Sequence, residues 1–151
     1  MFPPGGKDFS GMWKLDRKKS VNLPESFAQV ESYTMNVRQT ADSMIIVIGL
    51  SGSGQSVTFP VTNYVFKGDE VFREDTLRHS RRWTRCEWSS GGNTLVVTSR
   101  VEQGIGEKKK EYTPRDEWQL KDKKTFQITV NQKFAHSDST RNERRVFHRM
   151  K

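Results

Sequence analysis

The chain has 151 residues, one cysteine and a formal net charge of +8. These numbers favour one globular domain over residues 1–151 and exclude an intrachain disulfide. The hydrophobic fraction of 32% is below the average of about 45%, but nine phenylalanines and four tryptophans supply large apolar side chains, as in a β-barrel whose strands turn one face to water.

Basic residues are concentrated in the second half, where residues 76–151 carry eighteen Lys or Arg against nine Asp or Glu. Such a surplus attracts anions, but it is also usual on the water-facing sides of antiparallel strands. No apolar run approaches the roughly 20 residues of a transmembrane helix, and residues 1–7 contain no apolar core of a signal peptide. We expect a soluble protein with a flexible tail over residues 1–8, either cytoplasmic or the mature form of a periplasmic or secreted protein.

Strand patterns fill the chain in order, beginning with residues 9–15. Residues 16–29 are too polar for a long amphipathic helix and predict a loop with one helical turn around residues 24–28. In the next strand Tyr33 and Met35 alternate with polar residues, which directs both side chains toward the interior. We therefore expect Tyr33 and Met35 to line any internal ligand site.

The later strands are expected at regular intervals. Residues 44–50 are apolar and predict a strand covered at least in part on both faces, while Pro60 interrupts the alternation of residues 57–61 and predicts an irregular edge. Further strand patterns occupy residues 70–74, 79–88, 94–102, 108–121, 125–135 and 140–150. About ten strands with short connections predict an all-β fold, an antiparallel up-and-down meander of eight to ten strands closed into a barrel. A closed barrel has no unpaired edge and can hold an internal ligand.

Few groups suggest catalysis or metal binding. The three histidines are isolated and Cys86 has no partner cysteine, so no metal site is expected. The sequence has neither a Gly-x-Ser-x-Gly motif nor a phosphate-binding glycine loop, and no catalytic residue or cofactor is assigned. Asp116 and Glu117 are adjacent and point to opposite faces of a strand, so they cannot act as a pair. An isomerase or cyclase activity stays an alternative, and it needs a titratable group isolated in an apolar pocket.

Arginines and tryptophans interleave around residues 79–88. The set consists of Arg78, Arg81, Arg82, Trp83, Arg85 and Trp88. Alternation places Trp83 on a face with Arg81, and Arg82 on the other face. Because arginines beside aromatic rings can follow a phosphate backbone and stack on bases, an interface for nucleic acid or another polyanion is the second function considered. The competing interpretation is that the tryptophans belong to the core and the arginines to an outer face.

The last strand combines an arginine with an aromatic residue. Arg145 and Phe147 share one face, and Glu143 precedes them on the same face. An arginine that points inward is costly unless it is paired. We therefore expect Arg145 to contact Glu143 or an anionic ligand, or else to stack on Trp13 at the base of the barrel.

Three segments resemble the intracellular fatty-acid-binding proteins. Phe9-x-Gly11-x-Trp13-Lys14-Leu15 resembles their first strand, and its Gly-x-Trp is similar to the opening motif of lipocalins. Arg145-Val146-Phe147 resembles their closing Arg-x-Tyr, and Trp118-Gln119-Leu120-Lys121-Asp122-Lys123-Lys124 resembles their Arg-x-Leu-x-Asp-Gly-Lys hairpin. By this resemblance the chain is identified as a member of the calycins, meander barrels that carry small apolar ligands, and it is similar to bacterial lipocalin-like domains.

The resemblance implies non-enzymatic binding or transport of a small hydrophobic or amphipathic ligand, with or without an anionic head group. It implies that Arg145 contacts such a head group and that Phe147 and Trp118 form an apolar wall. Two departures affect this expectation. Phe147 lacks the hydroxyl of the family's tyrosine, and Trp118 replaces a carboxylate-binding arginine.

The resemblance also implies a closed barrel base. Gly11 and Trp13 are expected to close one end against the last strand, with Arg145 or Arg149 as the partner of Trp13. The two-helix lid of the family is reduced here to a short loop.

Overall fold

Antiparallel strands account for most of the computed structural model, which describes residues 7–59, 62–66, 68–89, 91–134 and 140–150, apart from the side chain of residue 26. The eleven strands of these residues are β1 (Gly11–Leu15), β2 (Ser32–Gln39), β3 (Ser43–Gly52), β4 (Gln55–Thr58), β5 (Thr62–Val65), β6 (Val71–Asp75), β7 (Ser80–Trp88), β8 (Thr94–Gln103), β9 (Lys110–Leu120), β10 (Thr125–Phe134) and β11 (Thr140–Arg149). Two short 3₁₀ turns, Glu25–Gln29 and Gly106–Lys108, complete the elements. No helix in this part of the chain is long and apolar enough to cross a membrane.

The strands pair mainly with their neighbours in sequence, which confirms the predicted antiparallel meander. The hydrogen-bonded order is β4-β3-β2-β1-β11-β10-β9-β8-β7-β6, and β5 pairs with β3 beside β4. β1 joins the first and last parts of the sheet, because it pairs with β2 on one side and with β11 on the other. Among the described strands β5 and β6 do not pair, so the hydrogen bonding of the barrel is interrupted between them.

Two features differ from the predicted closed barrel of eight to ten strands. Of the strand expected over residues 57–61, residues 57 and 58 end β4, and a separate strand, β5, begins at Thr62; β4 and β5 pair with different halves of β3. Pro60, the expected cause of an irregular edge, lies outside the described residues. After β5 the amide N–H of Phe66 donates to the carbonyl oxygen of Asp42 at 2.9 Å, and the Phe66 ring is buried. This anchor directs the chain toward the β2–β3 turn and away from β6, which leaves the gap.

The inward faces of β2 and β3 follow the predicted alternation. Tyr33 and Met35 of β2 are buried, and Asn36 beside them is exposed. In β3, Met44 and Ile46 are buried while their neighbours are half-buried. The outer face of β3 is therefore covered in part, as the apolar run predicted.

An aromatic cluster fills one end of the barrel. Trp13 of β1 is fully buried, and its ring meets Phe126 of β10 edge-on with 4.6 Å between centroids. Phe126 stacks on Trp118 of β9 at 5.5 Å and on Phe147 of β11 at 4.8 Å, and Phe9 lies edge-on to it at 5.6 Å. Aromatic pairs contribute about 0.5–1.5 kcal/mol each beyond their burial, so the cluster stabilises the closure of β1 against β10 and β11.

The loop between β1 and β2 lies at the other end of β1. The helical turn predicted around residues 24–28 is the 3₁₀ turn Glu25–Gln29. Phe27 on this turn stacks on Tyr33 with 5.5 Å between ring centroids, and the guanidinium carbon of Arg145 lies 5.1 Å from the Phe27 ring. Phe27 therefore covers the inward side chains of Tyr33 and Arg145.

The segment before β1 is held by Gln39. Residues 1–6 of the expected flexible tail lie outside the described residues. The carbonyl oxygen of Lys7 accepts a hydrogen bond from Gln39 Nε2 at 2.7 Å, and the amide of Phe9 donates to Gln39 Oε1 at 2.8 Å. These two bonds position Phe9 in the aromatic cluster.

Candidate functional site

A cavity of about 340 Å³ lies inside the barrel, next to the aromatic cluster. Its apolar wall consists of Met35, Ile46, Ile48, Trp118, Ile128 and Val130. Its polar wall includes Arg82, Tyr112, Asp116, Gln132, Glu143 and Arg145. These side chains come from β2, β3, β7, β9, β10 and β11, and strand alternation points them to one interior space.

Arg145 and Glu143 form an ion pair on the polar wall. The Arg145 Nε donates to Glu143 Oε2 at 2.8 Å, and the exposed fraction of the side chain is 23% for Arg145 and 5% for Glu143. Burial lowers the pKa of Arg145, but the hydrogen bond and charge of Glu143 outweigh burial and hold this pKa above its usual value. The pair therefore gives Arg145 the partner that an inward guanidinium requires.

Asp116 of β9 is the second acid on the polar wall. Burial raises its pKa to about 6, although the charges of Arg145 and Arg82 partly offset that effect. Within the described part of the chain, its carboxyl accepts no hydrogen bond and forms no ion pair. Asp116 therefore has free capacity to accept a hydrogen bond from a molecule in the cavity.

Arg82 of β7 lies between the interior and the β5–β6 gap. Its Nη1 donates a long hydrogen bond of 3.4 Å to Ser99 Oγ on β8. A smaller cavity of about 150 Å³ in the gap shares Thr62, Tyr64 and Arg82 with the interior cavity. The two cavities thus lie against each other. Cys86 lines the smaller one, and burial raises the pKa of its thiol to about 12.

Four of the five residues predicted to bind ligand line the interior cavity: Tyr33, Met35, Trp118 and Arg145. Phe147 lies instead in the aromatic cluster and does not line the cavity. The reason is register, because Phe147 pairs with Leu15 of β1 and Phe126 of β10, both beside Trp13.

At the base, Arg149 is the partner of Trp13. Its guanidinium carbon lies 4.3 Å from the centroid of the Trp13 ring, and its Nη1 donates to the Ser10 carbonyl oxygen at 2.9 Å. Gly11 has a φ of +136°, and a Cβ at this position would clash with Arg149 Nη1. Glycine is therefore required here by the backbone conformation, and a Cβ would also displace the Arg149 guanidinium from its contact.

Sequence reasoning missed Arg82 and Asp116 as cavity residues. Strand alternation could have indicated both residues. Arg82 lies on the same face of β7 as Cys86, and Asp116 lies on the same face of β9 as Trp118. Charged residues on strands were instead assigned to the outer faces, because burial of a charge is costly. The enzymatic alternative needs a titratable group isolated in an apolar pocket; Asp116 is titratable but shares the polar wall with Arg145, Arg82 and Glu143, and that alternative stays a prediction.

The outer face of β7 carries the rest of the basic row. Trp83 lies between Phe72, with 5.1 Å between ring centroids, and Arg100, whose guanidinium carbon is 3.8 Å from the Trp83 ring. Arg81 is paired with Glu74 at 2.9 Å. Because Arg82 lines the interior cavity and the β5–β6 gap while staying exposed, the expected row is divided between two faces. The nucleic-acid interface stays a prediction.

No protein-family model matches the sequence, and no curated protein matches it. Among solved structures, the Schistosoma mansoni fatty acid binding protein in complex with arachidonic acid is similar over 95% of this chain and 96% of that chain, with a TM-score of 0.57 and 17% identity. The structure of EF1p2_mFAP2b bound to DFHBI covers 93% of both chains with a TM-score of 0.42 and 9% identity, too low to carry an argument. The first comparison shows the fold alone. The chain therefore has the β-barrel fold seen in the fatty-acid-binding proteins, as its terminal strands predicted.

Proposed function

We propose that the protein binds a small, largely apolar ligand inside the barrel without converting it chemically. The observation that carries this proposal is the interior cavity of about 340 Å³, which has one apolar wall and a few converging polar groups. Ligand sites in proteins commonly have this character and volumes of about 300–1,000 Å³. Similarity to a fold whose S. mansoni representative is in complex with arachidonic acid supports an apolar ligand in general terms.

The cavity volume limits the size of the ligand. At about 30 Å³ for each water molecule, the cavity has room for roughly eleven waters, or for an alkyl chain of about ten carbons. Each methylene group buried from water contributes about 0.8 kcal/mol, so such a chain gains roughly 8 kcal/mol before the cost of immobilisation. Dissociation constants in the micromolar range or weaker are therefore expected.

The polar wall positions the ligand. Arg145 is the residue that sequence reasoning expected to hold an anionic head group, and it lines the cavity. Since Glu143 already occupies the Arg145 Nε, a carboxylate ligand would have to share Arg145 or displace Glu143. Trp118, Tyr33 and Met35 are proposed to contact the apolar part of the ligand.

Titration with prodan, an uncharged environment-sensitive dye without a hydrogen-bond donor, tests the proposal. We expect saturable binding with a blue-shifted emission. Ile48→Trp should weaken binding at least about tenfold, because it fills the cavity wall. The matched control is Val47→Trp, whose side chain is on the other face of β3, and it should bind prodan like the wild type.

Native mass spectrometry of freshly purified protein gives an independent measurement. A bound adduct in the wild type that is absent from Ile48→Trp would support the proposal. The proposal fails if prodan shows no saturable binding and no adduct is found. It also fails if Ile48→Trp and the wild type bind prodan equally.

A further inference from the structure

We infer that the cavity selects uncharged ligands that carry a hydroxyl group, and that Asp116 accepts the hydrogen bond of that hydroxyl. This inference rests on the proposed function and specifies its ligand class. The observation that supports this inference is a pair of facts about the cavity wall. Asp116 has no hydrogen-bond donor in the described structure, whereas the Arg145 guanidinium is already paired with Glu143.

The Arg145 guanidinium is poorly placed to recruit a carboxylate ligand. Glu143 accepts its Nε–H at 2.8 Å, and Glu143 is almost fully buried. The Phe27 ring lies 5.1 Å from the guanidinium carbon and covers it. A ligand carboxylate would therefore bring a third acid to a wall that already holds Asp116 and Glu143, at a cost in repulsion and desolvation.

A ligand with a cationic head group would be repelled by the guanidinium groups on the same wall. The polar wall contains two guanidinium groups, Arg82 and Arg145, and both act electrostatically on Asp116. In the described part of the chain Arg82 forms no ion pair, and its one side-chain hydrogen bond is the 3.4 Å contact with Ser99. An ammonium group beside Asp116 would therefore lie in the field of an unpaired guanidinium. The four charged residues are formally balanced, and an uncharged ligand preserves that balance.

A hydroxyl group can form a hydrogen bond with both the Asp116 carboxylate and the Arg82 guanidinium. Its O–H donates to the Asp116 carboxylate, which otherwise has no donor in the described structure, and its oxygen can accept from the unused N–H groups of Arg82. The Asp116 carboxyl is half-buried and has no donor in the described structure, so a ligand that brings a donor to it is favoured. The apolar wall opposite holds the remainder of the ligand.

Displacement of prodan by three ligands of equal chain length tests the inference at neutral pH. We expect 1-decanol to displace the dye at a concentration about tenfold lower than ionised decanoate or protonated decylamine. In Asp116→Asn we expect decanol to bind about tenfold more weakly and decanoate to bind more tightly, since the repelling charge is gone. Glu117→Gln is the matched control, because Glu117 is the neighbouring acid on the outer face, 3.8 Å from Arg115, and it should keep the wild-type order.

The outcomes separate this inference from the proposed function. Prodan binding in Asp116→Asn shows that the variant is folded and that its cavity is intact. If prodan binds but decanol and decanoate displace it equally, the inference is overturned and the proposed function stands. The same holds if Asp116→Asn retains the wild-type preference for decanol. If prodan does not bind the wild type and calorimetry detects no binding of decanol, both fail.

Discussion

Replacement of Asp116 by asparagine should stabilise the protein at neutral pH. Asp116 is a carboxyl on the cavity wall without a hydrogen-bond donor in the described structure, and burial raises its pKa from 3.8 to about 6. The ionised carboxylate is therefore less favourable in the folded state than in the unfolded chain. Asparagine has nearly the same shape and carries no charge, so it removes this penalty.

The pKa shift sets the magnitude and the pH window. One pKa unit corresponds to about 1.4 kcal/mol, so a rise from 3.8 to about 6 amounts to roughly 3 kcal/mol. Because the folded state retains a proton that the unfolded chain has released, the free energy of unfolding of the wild type falls as pH rises from about 4 to about 6. The penalty is fully present above this window and absent below it. Asp116→Asn should therefore be more stable than the wild type by about 2–3 kcal/mol at neutral pH and equally stable near pH 4.

Urea unfolding of both proteins at the two pH values measures the difference, with the midpoint and the slope fitted separately. Glu117→Gln is the control, since this outer acid should show no such pH-dependent gain. A variant that is less stable than the wild type at neutral pH would refute the reasoning. So would a gain of equal size at both pH values, because ionisation would then not be its cause.

Three further predictions concern the barrel base, the ion pair and the thiol. Trp13→Ala should lower the free energy of unfolding by about 3–5 kcal/mol, since the fully buried ring packs on Phe126; a loss below about 1 kcal/mol in urea unfolding would contradict this. Glu143→Gln should cost about 3 kcal/mol by the same measurement, because it leaves Arg145 without its buried partner, and a neutral effect would show that the pair is solvated. Cys86 is 2% exposed and burial raises the pKa of its thiol to about 12, so it should react with a disulfide reagent only as the protein opens; complete reaction of the native protein within seconds would contradict this.

Alternation along single strands was the most informative sequence signal. Because successive side chains on a strand point to opposite faces, the inward placement of Tyr33 and Met35 follows from local sequence, and both line the cavity. Pairing register between strands is not a local property. It places Phe147 opposite Leu15 and Phe126, and so moves it from the expected cavity wall into the aromatic cluster.

The polar wall was harder to predict for a different reason. Arg82, Asp116 and the Arg145–Glu143 pair come from β7, β9 and β11; Arg145 and Glu143 are tolerated inside because they pair, whereas Asp116 is half-buried and Arg82 stays exposed. A sequence shows each residue as a costly isolated charge, and such residues are reasonably assigned to the surface. Only Arg145 and Glu143, two residues apart on one strand, were close enough in sequence for their pairing to be expected.

The pairing of β1 with β11 has a consequence for how the protein folds. Arg149 Nη1 reaches the Ser10 carbonyl across 139 residues of chain, and Trp13 pairs with Arg149. Contacts between residues so distant in sequence carry a large loop-closure entropy, and folds dominated by them cross their barrier slowly. During synthesis β2 and β3 can form a hairpin early, whereas the aromatic cluster must wait for the last strand to emerge. The pairing of β1 with β11, which encloses the cavity, is therefore a late step. Until it occurs, Trp13 on β1 cannot pack in the aromatic cluster.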